Sequence, residues 1–212
     1  DYTRDPVRHE YSHPRQDRGA VDHRFVAVGR ESRLEALVEQ LDEERGRTLV
    51  FVRTKRGADR LAKRLRKHDL EAVAMHGDKS QGQRERALAR FEAGEVHALV
   101  ATDVAARGID VAGVTHVINF DVPEDRDSYV HRIGRTGRAG RQGTGISFVL
   151  SDQTDDVRRM AGALGLVREF EMDRGGRRKQ LDSRPAPQRP QNGRQAQNGR
   201  KSRNGRKSRS RA

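Results

Sequence analysis

The chain has 212 residues, enough for one domain of ordinary size with extensions. It contains no cysteine, which excludes disulfides, iron–sulfur clusters and a thiol nucleophile. No apolar run approaches the roughly 20 residues that cross a bilayer, and the first residues do not resemble a signal peptide. These features predict a cytoplasmic protein without a membrane partner.

The formal net charge of +13 is concentrated at one end of the chain. Residues 174–212 hold 14 lysines and arginines and a single acid, Asp182, so the rest of the chain is neutral. The motif Asn-Gly-Arg recurs there every six residues, and Leu181 is the only large aliphatic residue. We therefore expect residues 173–212 to form a disordered Arg/Asn/Gly-rich tail that binds a polyanion.

Residues 1–22 are polar and aperiodic and are predicted to form an arm or linker, whereas residues 23–172 alternate β-rich and helix-like segments. Strands are predicted at 24–28 (an edge strand), 49–52, 72–75, 98–101, 114–120 and 146–150. Apolar residues recur at helical spacing in three segments between them: Leu34, Leu37, Val38 and Leu41; Ala58, Leu61, Ala62 and Leu65; and Ala87, Leu88 and Phe91. This alternation predicts an α/β fold with a mainly parallel sheet and helices on both faces.

Ligands of such sheets bind at the carboxyl ends of the strands, where we expect four polar clusters: 53–55, 76–84, 102–110 and 131–138. In the last cluster, Arg135 and Arg138 are three residues apart and are expected to project from one side of a helical turn. Their planar guanidinium groups suit a phosphoryl group, and Gly134 and Gly137 allow a ligand to approach the backbone. A salt-bridged helix end would have the same spacing.

Two histidines in these clusters, His76 and His131, raise the question of a metal site. No other ligand is spaced to join them, so we expect hydrogen-bonded structural histidines and no metal.

Two of the clusters closely resemble known motifs. Residues 101–110 and 131–138 resemble motifs V and VI of DEAD-box RNA helicases, residues 49–54 are similar to motif IV, and Gln81 with Arg84 resembles the adjacent glutamine–arginine element. The resemblance covers roughly residues 24–165, in order and spacing. It implies the second RecA-like domain of such an enzyme, a three-layer fold.

Related helicase classes differ at these motifs. RecQ-type DNA helicases typically carry phenylalanine-glycine-methionine-glycine where this chain has residues 105–108, Ala-Ala-Arg-Gly. DEAH-type enzymes usually have glutamine at the position of His131. Both differences favour the DEAD-box interpretation over a DNA-translocating helicase.

The resemblance also implies roles for individual residues. ATP would be the cofactor, with arginine fingers at Arg135 and Arg138 and further nucleotide contacts at Asp110 and Gly108. The RNA backbone would be bound by Thr54, Arg84, Thr102 and Gly108. Residues linking the RNA and ATP sides would be Gln81, Asp103, Arg107, His131 and Arg132. The alternatives are that Asp110 caps a helix and that Arg84 is a solvated charge on a helix.

The chain lacks the other half of the helicase machinery. It contains no Gly-x-x-x-x-Gly-Lys-[Ser/Thr] loop, no Asp-Glu-Ala-Asp run and no Ser-Ala-Thr. We therefore expect the C-terminal half of an ATP-dependent RNA helicase, inactive alone, whose partner N-terminal RecA-like domain holds Mg²⁺. The alternative is a non-catalytic RNA-binding or annealing module that acts through its basic tail.

Overall fold

A computed structural model describes residues 20–43, 46–106, 111 and 113–171. These residues form six strands and six α-helices that alternate along the chain. The strands are β1 (Val21–Ala27), β2 (Arg47–Phe51), β3 (Ala72–Met75), β4 (Ala98–Ala101), β5 (Val114–Asn119) and β6 (Gly143–Val149). The helices are α1 (Arg33–Glu43), α2 (Lys55–Arg66), α3 (Gln81–Glu92), α4 (Asp103–Ala106), α5 (Arg126–Ile133) and α6 (Thr154–Leu164). A 3₁₀ turn, Ser151–Gln153, precedes α6.

The strands form one sheet in the order β1-β6-β5-β2-β4-β3, and every pair in it is parallel. Side chains alternate between two cores: Leu49 and Phe51 of β2 pack on one face, and Val50 on the other. Helices α3 to α6 cover the core that contains Leu49 and Phe51, and helices α1 and α2 cover the core that contains Val50. The predicted RecA-like three-layer α/β fold is thus confirmed.

The predicted helical stripes are the inner faces of α1, α2 and α3. All four apolar residues predicted for α2 are buried. In α1, Gln40 is buried where Val38 is only partly covered, and Leu88 of α3 is also partly exposed. The periodicity thus located each helix and its packing face, because Val38 and Leu88, although partly exposed, still pack against the cores.

The strand boundaries differ most from the prediction at β1 and β6, while β2 begins two residues earlier and ends one residue earlier than predicted, and β5 ends one residue earlier. β1 is the expected edge strand, but it begins at Val21, two residues before the predicted domain boundary. β6 begins at Gly143, three residues earlier than predicted. Its first three residues include two glycines, which give no hydropathy signal. A Cβ at Gly145 would lie 2.7 Å from Ile133 Cδ1, so α5 packs directly on the bare backbone there.

Several predictions concern residues outside the described part of the chain. These include most of the predicted arm, the predicted tail, and Arg107, Gly108 and Asp110. Within the described ranges, no helix is long and apolar enough to cross a membrane.

Candidate functional site

The predicted RNA-binding residues follow three adjacent strands, where these strands end at the carboxyl edge of the sheet. β2, β4 and β3 are neighbours, and Thr54, Thr102 and the helix bearing Arg84 follow them at their carboxyl ends. Thr54 is exposed and caps α2, its hydroxyl accepting from the Gly57 amide at 3.0 Å. Thr102 is buried, and its amide donates to the Met75 carbonyl at 3.4 Å. The structure therefore brings these positions together along one side of the molecule.

Arg84 differs from the charges around it. It lies near the start of α3 and is partly buried, and its Nε is a buried donor without a partner among the described residues. Burying a donor without an acceptor costs free energy. The Arg84 guanidinium can therefore donate to an acceptor that the described residues do not supply. Gln81, by contrast, is exposed and donates to Glu85 within α3 at 2.8 Å.

The best-connected charged residue is Arg132 of α5, which is only 4% exposed. Its Nε and Nη2 donate to the two carboxylate oxygens of Asp103 at 2.6 and 2.7 Å. Its Nη1 donates to Asn119 Oδ1 at 3.2 Å and to the Asp121 carbonyl at 2.6 Å. The guanidinium carbon also lies 5.0 Å from the centre of the Phe51 ring. One side chain thus ties α5 to the ends of β2, β4 and β5.

Asp121, directly after β5, forms a second junction. One carboxylate oxygen accepts from the Arg53 amide at 2.8 Å, and the other accepts from Arg33 at the start of α1. Arg33 also stacks on Phe120, with its guanidinium carbon 3.9 Å from the ring centre. Asp121 therefore fixes the segment that leads from β2 towards Thr54.

A chain of polar side chains continues from Arg132 through the core. The Asn119 amide donates to Ser147 at 3.0 Å, Ser147 hydrogen-bonds Tyr129, and the Tyr129 hydroxyl lies 2.8 Å from His23 Nδ1. Burial raises the pKa of Tyr129 far above its usual range. Burial likewise lowers the pKa of His23, against the opposing influence of Glu169. The polar chain connects edge strand β1 to Arg132.

Sequence reasoning missed Asn119, Tyr129 and Ser147 as members of this network. The available signal was chemical. Asn119 and Ser147 are polar residues inside the predicted strands 114–120 and 146–150, and both are fully buried. Buried polar side chains are almost always hydrogen-bonded, so their partners could have been sought.

The structure corrects the expected placement of Arg135 and Arg138. They do not share a helical turn, because α5 ends at Ile133 and is capped by Gly134. The segment after it runs back to the amino ends of β5 and β6, where the Thr136 hydroxyl contacts the Val114 and Thr115 carbonyl oxygens at 2.7 and 2.9 Å. The cluster 131–138 therefore begins on α5, where Arg132 reaches the carboxyl ends of β4 and β5, and its later part runs to the amino ends of β5 and β6.

The two arginines occupy different surroundings. Arg135 is partly exposed and borders a shallow pocket between α4 and α5 that Asp103 and His131 also line. Arg138 is exposed, and its Nε donates to the Gly134 carbonyl at 2.8 Å. Gly137, between them, has φ +65°, and its amide would lie 2.6 Å from a Cβ at Gly143. Glycine at 137 is thus explained by backbone conformation and close packing.

The two histidines have separate environments. His76 is buried, and its Nε2 lies 2.9 Å from Asp59, while its Nδ1 is buried without a partner in the described ranges. His131 is exposed on α5. The described residues contain no group of three or more potential metal ligands.

A parallel sheet of this order, with an aspartate after β4 held by a buried arginine of α5, defines a RecA-like domain of the helicase type. The family model for the helicase conserved C-terminal domain matches residues 32–140, slightly more than half of the chain. The chain belongs to this family, in its DEAD-box branch.

Similar proteins agree with this assignment. The ATP-dependent RNA helicase CshA of Listeria monocytogenes is 47% identical over 130 residues, which cover 61% of this chain and 25% of CshA. The E. coli DEAD-box protein SrmB, solved with regulator of ribonuclease activity A, is 40% identical, with a TM-score of 0.64 over 68% of this chain and 85% of that one. S. cerevisiae Dbp5, solved with RNA and ADP BeF3, is 32% identical, with a TM-score of 0.64 over 69% of this chain and 40% of that one. This chain thus spans about a quarter of the length of the curated relative.

Proposed function

We propose that this chain acts as the C-terminal half of an ATP-dependent RNA helicase that separates short duplexes locally. The observation that carries the proposal is the position of Arg132, which joins the loop bearing Thr102 and Asp103 to the helix that leads to Arg135. A movement of one group is therefore transmitted to the other through a bidentate ion pair whose arginine is buried.

The RNA side of the proposal rests on Thr54, Arg84 and Thr102. A hydroxyl, an underused guanidinium and a second hydroxyl lie along three adjacent strands, and these groups suit phosphate oxygens rather than base edges. Gly108 would complete the set. Binding through the backbone is independent of sequence, as local strand separation requires.

The ATP side rests on Arg135 and Arg138, whose guanidinium groups fit a triphosphate chemically. Both precede β6 near the surface, where a second domain carrying most of the nucleotide site would meet them. Asp110 and Gly108 would contact the nucleotide as well. When bound, ATP supplies the phosphoryl group that is transferred to water, with Mg²⁺ held by the partner domain. Arg135 and Arg138 would stabilise the charge on that group in the transition state.

The test uses a two-domain protein in which this chain follows the N-terminal domain of a DEAD-box relative. We expect RNA-stimulated ATP hydrolysis, and no hydrolysis by the chain alone. Arg138→Ala should lower kcat by ~10³ or more and leave ATP affinity nearly unchanged. Arg141→Ala, a nearby exposed arginine, is the control and should retain activity.

The alternative function, RNA binding or annealing through the basic tail, is favoured by one observation: all of the net charge lies in residues 174–212. The same experiment separates the two functions. A two-domain protein that anneals RNA but shows no RNA-stimulated ATPase, with Arg138→Ala indistinguishable from the parent, would support the alternative and reject the helicase.

A further inference from the structure

The folded part of this chain is neutral overall, but its charges are segregated. Residues 55–67, which form α2 and its C-cap, contain seven lysines and arginines and one acid, and all seven cations are exposed. Lys55 pairs with Asp78, whereas the other six have no ion-pair partner in the described part of the chain. Acids gather instead around the start of α5 and α6: Glu124, Asp125, Asp127, Asp152, Asp155 and Asp156. The cations of α2 thus lie on the helix that packs on β3 and β4, whereas these acids belong to the segments that follow β5 and β6.

A groove runs along the open edge of β3, between α2 and α3. We call it the edge groove; its cations are Arg66 of α2, Lys79, and Arg86 and Arg90 of α3. β3 pairs only with β4, so its other edge is uncovered by any described strand, and Val73 and Ala74 are partly exposed there. Among the described residues that line the groove, Asp59 is the one acid, and it is already bound to Lys79 and His76.

Two of the four cations have no acceptor in the described structure. Arg66 and Arg86 are exposed and make no hydrogen bond or ion pair to any described residue, whereas Arg90 lies 3.6 Å from Glu71 and 3.4 Å from Glu95. The described residues that line the groove include no aromatic side chain. Its chemistry therefore suits a string of phosphates and offers nothing for base stacking.

The edge groove is lined by the same two helices, α2 and α3, that begin at the proposed RNA-binding positions. Thr54 caps the start of α2, and Arg84 lies in the first turn of α3. The groove follows α3 from Gln83 to Arg90, a length of roughly 10 Å at 1.5 Å per residue. An RNA strand leaving the carboxyl edge of the sheet past Arg84 meets these cations next.

We propose that the edge groove binds the phosphate backbone of RNA that extends beyond the strand held at Thr54, Arg84 and Thr102. The proposal rests on the proposed function only in assuming that RNA is the ligand of the carboxyl edge; it does not require ATP hydrolysis. The groove gives the folded domain a basic surface of its own, additional to the tail. Contacts to phosphates alone make this binding sequence-tolerant and salt-dependent.

The experiment compares three versions of the full chain: the parent, Arg66→Gln/Arg86→Gln, and the control Arg126→Gln/Arg168→Gln. The control removes the same charge from exposed arginines of α5 and the segment after α6, far from β3. Each is titrated with fluorescent single-stranded RNA of six and of twenty nucleotides at several salt concentrations. Thermal unfolding of all three should coincide, because the substituted side chains are exposed.

With the long RNA, the groove variant should reduce the slope of log K against log salt by ~1.4, at ~0.7 per lost phosphate contact. Between 50 and 200 mM salt, its loss of affinity should then be about sevenfold smaller than the parent's. The control and the short RNA should show no such change. As an independent measurement, thiouridine-containing long RNA should crosslink to peptides covering residues 62–90.

Equal slopes for the parent and the groove variant would overturn the proposal, as would equal changes in the groove and control variants. If the groove variant binds RNA normally but loses binding to a polyglutamate peptide, the groove serves an acidic protein segment and the RNA assignment is wrong. If the ATPase of the two-domain protein fails while the slope change persists, the proposed helicase function falls and the groove assignment stands.

Discussion

Replacing Asp103 by alanine should destabilise the protein far more than its exposure suggests. The Asp103 side chain is 38% exposed, and substitutions at such positions usually change stability by about 0.5 kcal/mol or less. Its partner Arg132 is different, because its side chain is only 5% exposed. Removing the carboxylate leaves that guanidinium without its counterion, and stranding one partner of a buried pair costs about 3–5 kcal/mol.

The remaining contacts of Arg132 reduce this cost. Its bonds to Asn119 and to the Asp121 carbonyl survive, so we expect the lower end, about 3 kcal/mol, or a fall in Tm of about 6–12 °C for a folded part of this size. Asp103→Asn, which keeps an acceptor but loses the charge, should cost less than Asp103→Ala. Urea and thermal unfolding of the full chain measure all of these values.

A double-mutant cycle identifies the cause. If Arg132 is the group left stranded, Asp103→Ala should cost clearly less in an Arg132→Ala background than in the parent, with a coupling energy of at least about 1 kcal/mol. A cost below about 1 kcal/mol for Asp103→Ala alone, or additive effects in the double variant, would refute the reasoning.

Three further predictions concern the core, the polar chain and the tail. Leu99 is fully buried in the internal strand β4, so Leu99→Ala should lower the free energy of unfolding in urea by about 2–5 kcal/mol. A loss below about 0.5 kcal/mol would contradict the central place of Leu99 in the core. Burial lowers the pKa of His23, so the folded state binds fewer protons than the unfolded chain and stability should fall as pH drops below about 6.5. His23→Gln should flatten that part of the stability profile between about pH 8 and 5, and an unchanged profile would assign the pH dependence elsewhere. Ending the chain at Asp173 should remove most of its RNA affinity and, if about six tail cations engage RNA, reduce the salt slope by ~4; equal affinities and slopes would reject the tail as the main anchor.

The layered fold could be predicted from the sequence because each strand and helix has a local sequence signal. β3 and β4 were predicted to the residue, since short apolar runs bounded by charged residues and turns mark strands covered on both faces. The stripe of α2 was correct in full, because one face of that helix is apolar and the other almost entirely cationic. The glycines of β6 gave no such signal, and that boundary was missed.

The geometry of the site could be predicted only in part. The resemblance implied that Asp103 and Arg132 both link the RNA and ATP sides. Nothing local in the sequence connects two positions 29 residues apart, and only the fold shows that they pair with each other. The spacing of Arg135 and Arg138 was compatible with a helical turn. The helix ends before both, because the chain turns at Gly134 so that Thr136 can bond the first carbonyl groups of β5. Tertiary contacts decided that placement.

The buried polar network has a consequence for how the domain holds its shape. A buried ion pair such as Arg132–Asp103 contributes little net stability compared with apolar residues of the same volume, so stability does not explain it. The ion pair instead fixes the orientation of α5. Its guanidinium makes four hydrogen bonds, and together they hold α5 in one position against the segment after β4. The bare backbone at Gly145 lets Ile133 of the same helix pack directly on β6. Close packing fixes the distance of α5 from the sheet and the ion pair fixes its rotation, and together they determine where the chain that carries Arg135 leaves the helix.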